Sequence, residues 1–87
     1  MKIKKNYVIK EIADQYVVVP IAEEAIRFNG IISLNKSGKR LWEQLQSEKT
    51  ENELIDYLLS IYEVSQEQAQ TDVHNFLGTL KANDLLE

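Results

Sequence analysis

The sequence predicts an α+β fold, and three observations carry that prediction. Short stretches rich in β-branched and aromatic residues fill the amino-terminal part of the chain, stretches with apolar residues at i, i+3, i+4 and i+7 fill the rest, and strands and helices nowhere alternate as a parallel sheet requires. A chain of 87 residues without cysteine reads as one domain, 1–87. It buries only about two-thirds of its unfolded surface and must hold that core without disulfides.

Tyr7 to Ile12 and Gln15 to Val19 read as two strands of a hairpin turning at Ala13-Asp14. Pro20 lacks a backbone donor and ends or edges the second strand. Residues 21 to 29 fit either a helical turn or a loop, Gly30 resets the backbone, and Ile31 to Leu34 forms a third short strand.

Three helices follow. Gly38, Leu41, Trp42 and Leu45 lie on one face of the first, with Asn35 as its cap. Thr50 and Glu53 form a capping box ahead of Leu54, Ile55, Leu58, Leu59 and Tyr62, which line one side of the second. Ser65 and Gln68 repeat the box, Val64 and Ala69 stand at hydrophobic-staple spacing, and the third helix buries Ala69, Val73, Phe76, Leu77 and Leu80. It stops near Asn83, which tolerates a left-handed turn, and Leu85-Leu86 return to the core.

Composition narrows the functions. The longest apolar run, Tyr16 to Ala22, includes Pro20 and is far short of the ~20 residues that span a bilayer. Lys10 and Glu11 interrupt any signal-peptide core after Lys2, Lys4 and Lys5. A cytoplasmic protein with no membrane partner is expected. The only histidine, His74, lacks a second histidine or a cysteine with which to bind metal, and no phosphate loop or nucleophile elbow occurs. Neither catalytic residues, nor a metal, nor a cofactor is therefore expected.

The net charge of -4 is unevenly spread: residues 1 to 49 carry nine basic and six acidic side chains, residues 50 to 87 one and eight. This polarity either steers a charged partner or is ordinary scatter of solvated charge. It argues against nucleic acid as the partner, because residues 65 to 80 hold Glu67 and Asp72 but no Lys or Arg, the groups that neutralise phosphates. Lys36, Lys39 and Arg40 keep a winged-helix nucleic-acid-binding or transcriptional regulatory role as the alternative.

Two motifs go further. Leu34-Asn35-Lys36-Ser37-Gly38 runs into Leu41-Trp42-Gln44-Leu45, and Asp72-Val73 is followed by Phe76-Leu77, Leu80 and Leu85-Leu86, with Tyr62-Glu63-Val64-Ser65 between helices. Together they resemble the PqqD-like family, small recognition modules that hold ribosomally made precursor peptides for modifying enzymes, and the likeness covers residues 7 to 86. The resemblance implies a winged-helix-like three-helix bundle with a small three-stranded antiparallel sheet. It also implies a peptide chaperone rather than an enzyme, with two partners: the leader of a precursor peptide, and a modifying enzyme of the radical S-adenosylmethionine class. The leader of such a precursor lies along the third strand, against the third helix, in a natural-product pathway of the pyrroloquinoline quinone type or another.

Mapped onto this chain, the implied peptide-binding residues are Gly30, Ile31, Ile32, Ser33 and Leu34 on the strand and Asp72, Asn75, Phe76 and Thr79 on the helix. If Ile32 and Leu34 point inward, Ile31 and Ser33 point outward. Phe76 fits ordinary core as well as the groove, and Asp72 has a purely local role open to it. A free sheet edge accepts an added strand, and it permits either a monomer or a strand-exchanged homodimer. A subunit that stabilises an enzyme without touching its substrate is a further possibility. Coverage of that edge by the chain's own amino-terminal segment would exclude the strand-addition reading.

Overall fold

The computed structural model describes residues 1–21 and 32–87. The order is β1 (Tyr7–Ile12), β2 (Gln15–Pro20), β3 (Ser33–Leu34), α1 (Lys36–Gln44), α2 (Glu51–Ile61) and α3 (Gln66–Ala82). The strands form one antiparallel sheet in the order β1-β2-β3, so the α+β, winged-helix-like architecture is the observed one. The expected segments 22 to 29, Gly30 and Ile31 lie outside the described residues.

The β1–β2 hairpin turns on Ala13 and Asp14, both at positive φ (48° and 66°), as a two-residue turn between twisted strands demands. β2 extends one residue beyond the expected Val19. Pro20 pairs with Tyr7, while the flanking Ile21 N–H donates to the Asn6 carbonyl at 2.8 Å. Antiparallel pairs alternate between bonded and non-bonded, so Pro20 falls in a non-bonded pair and its missing donor breaks no bond to β1.

The helix caps follow the sequence with two corrections. Asn35 Oδ1 accepts from the Gly38 N–H at 2.8 Å, and Thr50 and Glu53 complete their reciprocal box at 3.0 and 3.1 Å. At Ser65 only half of the expected box forms. The hydroxyl accepts from the Gln68 N–H at 3.1 Å, but the Gln68 amide turns down the helix and donates to Asp72 Oδ1 at 2.8 Å. At the other end Asn83 keeps negative φ, and Asp84 takes the left-handed conformation at φ 56°. Leu85 N–H then reaches the Leu80 carbonyl and Asp84 N–H the Lys81 carbonyl, a Schellman end with Leu80 and Leu85 both fully buried.

One apolar cluster joins Val18, Ile32 and Leu34 of the sheet side to Leu41, Trp42 and Leu45, to Leu54, Ile55 and Leu58, and to all five predicted core residues of α3. Tyr62, expected on the inner side of α2, is instead the residue that caps it and is 36% exposed. The amino-terminal segment adds what the sequence did not announce. Ile3 is buried, its N–H donates to the Leu45 carbonyl, Lys4 N–H donates to the Leu85 carbonyl, and Glu87 N–H donates to the Lys2 carbonyl. That segment ties α1 to the carboxyl-terminal tail.

Candidate functional site

β2 pairs with β3 through Val17↔Ser33 and Tyr16↔Leu34, and Val18 N–H donates to the Ile32 carbonyl at 2.9 Å. Bonded and non-bonded pairs alternate, so Ile32 and Leu34 direct their backbone groups at β2, and Ser33 directs its N–H and C=O away from it. Ser33 thus presents a donor and an acceptor on the outer edge of the sheet. Among the described residues no backbone group pairs with it there, and the amino-terminal segment, whose bonds run to Leu45 and Leu85, does not cover it.

Beside this edge runs an open groove of about 280 Å³. Ser33 and Leu34 form one side, and Asp72, Asn75, Phe76 and Thr79 form the other. The i, i+3, i+4, i+7 spacing of those four places them in one stripe of α3. All six were expected at the site from the sequence. Ile32 is buried under the strand rather than lining the groove, and Gly30 and Ile31 lie outside the described residues. Phe76 serves both surfaces: only 7% of it is exposed, it belongs to the core, and its remaining face lines the groove.

The end of the groove comes from the first turn of α1: Asn35, Ser37, Gly38 and Leu41. In the sequence Asn35 reads as a cap and Gly38 and Leu41 as part of a core face, while Ser37 has no assigned role. The available signal was Gly38, a glycine on a helix face otherwise made of large residues, which marks close approach of a neighbour. Its absent side chain lets α1 lie against Leu34. Asp72 is half-buried and steadied by Gln68, so the groove has a fixed carboxylate among neutral polar and apolar groups. It offers hydrogen bonds along a strand and contact for side chains. His74 projects into solvent, 3.8 Å from Glu51, and among the described residues no group of three or more His, Cys, Asp or Glu is placed to hold a metal. No helix among them is long and apolar enough to cross a membrane.

An antiparallel sheet edge facing a helix across a narrow groove defines a small winged-helix-like recognition module. The chain belongs to the coenzyme PQQ synthesis protein D (PqqD) family, whose model matches residues 15–86. The solved structure of TbiB1 in complex with the TbiA(beta) leader peptide is similar over 100% of this chain and 95% of that one, with 28% identity and a TM-score of 0.75. Lasso peptide synthetase B1 complexed with the leader peptide matches over 99% and 95%, with a TM-score of 0.72 and 16% identity, a likeness of fold. No curated protein matches the chain.

Proposed function

We propose that this protein captures the leader region of a ribosomally synthesised precursor peptide by strand addition to β3 and presents it to a modifying enzyme, acting as a binding protein in the cytoplasm with no catalytic role. The observation that carries the reading is the outward N–H and C=O of Ser33 beside the groove of α3. An extended peptide satisfies those groups and places alternate side chains against Phe76, Asn75 and Thr79. Membership of the PqqD family and the 28% identical neighbour that holds a leader peptide support it. The chemistry then lies in the partner. A radical S-adenosylmethionine enzyme suits that role, since this chain has no cysteine with which to hold the cluster such enzymes use.

Affinity near micromolar, about -8 kcal/mol, is expected, because ordering a flexible leader offsets much of the contact energy. The test is a nuclear magnetic resonance titration of labelled protein with the peptides encoded by short reading frames neighbouring the gene. Backbone shifts concentrated in residues 30–34 and 68–80 are the expected result. Binding of the modifying enzyme without any response to those peptides would reduce the protein to a stabilising subunit. A response to duplex DNA that fades steeply with salt would favour the nucleic-acid alternative. Against that alternative, Lys39 is already engaged, 3.3 Å from Glu43 and over the Tyr16 ring.

A further inference from the structure

Among the described residues that line the strand groove, Asp72 alone is charged. The local roles open to an acid on a helix do not account for it. It lies beyond the first turn of α3, which begins at Gln66, so it meets neither the unpaired N–H groups nor the positive end of the helix dipole. The residues three and four positions away, Gln68, Ala69, Asn75 and Phe76, include no Lys or Arg, so no pair within the helix balances it. It enters none of the ion pairs among the described residues. Its bond is from the Gln68 amide to Oδ1, and Oδ2 meets no protein donor there. Half-buried, Asp72 is reached by water through the open groove. A strand added at β3 fills the groove and takes that water away. A carboxylate that loses its water without gaining a counter-charge or donors weakens binding.

We propose that Asp72 selects a lysine or arginine in the bound peptide, whose cationic group meets Oδ2 as the peptide closes over the groove. The proposal rests on the strand-addition reading and adds the charge that the ligand carries. The surroundings have the same sign: residues 50 to 87 hold one basic and eight acidic side chains, which draws a basic peptide toward α3 at low salt. The geometry also gives the place of that residue. Asn35 and Ser37 line both the groove and the adjoining depression together with Asp72, so the carboxylate stands at the Asn35 end. Both pairings within the sheet are antiparallel, and an added strand that continues the pattern passes Asn35 before Ser33. The basic residue accordingly lies on the amino-terminal side of the residue that bonds Ser33.

The test is a displayed library of random peptides, selected in parallel on wild type, Asp72→Asn and Asp72→Lys, with Ser33→Pro as the report on strand addition and circular dichroism as the check that each variant folds. D72N keeps an acceptor for the Gln68 amide and removes only the charge. Peptides selected on wild type should carry Lys or Arg at one position before the paired stretch. Replacing that residue by glutamine should weaken binding to wild type about tenfold while costing nothing further in D72N, and D72K should select Asp or Glu at the same position. If S33P binds weakly while wild type and D72N select the same peptides with equal affinity, the charge preference is wrong and strand addition stands. If D72N weakens basic and neutral peptides alike, Asp72 serves a neutral donor or the shape of the groove, and the charge preference is again wrong. If S33P binds undiminished, or no peptide is selected, strand addition fails and the charge preference with it.

Discussion

A Cβ on Gly38 would lie 3.2 Å from Leu34 Cβ and 3.3 Å from the capping oxygen of Asn35. Carbon atoms rest comfortably at about 3.5–4.0 Å, and Leu34 Cβ is anchored to the backbone of the edge strand, so it yields only if β3 or α1 moves. The close approach of this helix to this strand shapes the end of the groove. Gly38→Ala gains about 1 kcal/mol of helix propensity but overpacks the contact, which costs about 1–3 kcal/mol. The expected net is a loss of about 1 kcal/mol, seen as a melting temperature lower by roughly 4–8 °C, together with weaker peptide capture. Gly78 is the matched control, since nothing lies within 4 Å of a Cβ placed there. Gly78→Ala should raise stability by about 1 kcal/mol, and a loss there would show that propensity does not govern α3.

Ser33 offers a sharper probe of function. Its N–H points away from β2, so Ser33→Pro deletes one outward donor without breaking a bond of the existing ladder, and an extended Ile32 tolerates a following proline. Thermal stability should change by less than about 1 kcal/mol, while peptide affinity should fall at least about tenfold from the lost bond and the steric bulk of the ring. Calorimetric titration that gives equal affinity for S33P and wild type would remove strand addition as the binding mode.

Much of this was legible in the sequence, for a physical reason: caps and helical faces are local. Thr50 and Glu53 meet within one turn, and Ala69, Val73, Phe76, Leu77 and Leu80 share a face whatever lies opposite. What local pattern does not encode is which distant segment fills a gap. Ile3 stands alone among lysines, with no period to announce it, and is buried because the end of α1 and the carboxyl-terminal tail leave room between them. The contribution of α1 to the groove was hidden in the same way, since Asn35 and Ser37 are fully explained as a capping pair until α3 is seen across from them. Gln68 shows local competition. Its amide had two partners within reach and took Asp72 rather than the capping box.

The hairpin turn carries strain that the sequence could shed. Ala13 and Asp14 both adopt positive φ, a region in which Ala is unfavourable and Asn and Gly are at ease. Replacing the pair by Asn-Gly should stabilise the protein by about 1 kcal/mol, read as a higher urea midpoint with unchanged slope. Neither turn residue lines the groove, so peptide affinity should stay within about twofold of wild type. An unchanged midpoint would mean that the flanking strands, rather than the turn residues, set hairpin stability.

The capping box of α2 makes stability depend on pH through one glutamate. The Glu53 carboxylate accepts from the Thr50 N–H at 3.0 Å, and that bond, reinforced by the Thr50 side chain, holds its carboxyl below the ordinary glutamate value. A carboxyl whose folded pKa is depressed contributes stability above its unfolded pKa, and the contribution disappears as pH falls through the folded value. The window therefore opens near pH 4.3, the ordinary glutamate value, and extends downward. Glu53→Gln keeps an acceptor for the Thr50 N–H but cannot titrate, so the stability difference between wild type and E53Q should be greatest near neutral pH and shrink steadily on acidification below about pH 4.3. Thr50→Ala removes the hydroxyl that caps Glu53 N–H at 3.1 Å and should cost about 1 kcal/mol at neutral pH. Urea unfolding from pH 7 to pH 3 measures both. A wild-type to E53Q difference that stays constant across that range would show that the carboxylate's charge plays no part in holding the start of α2.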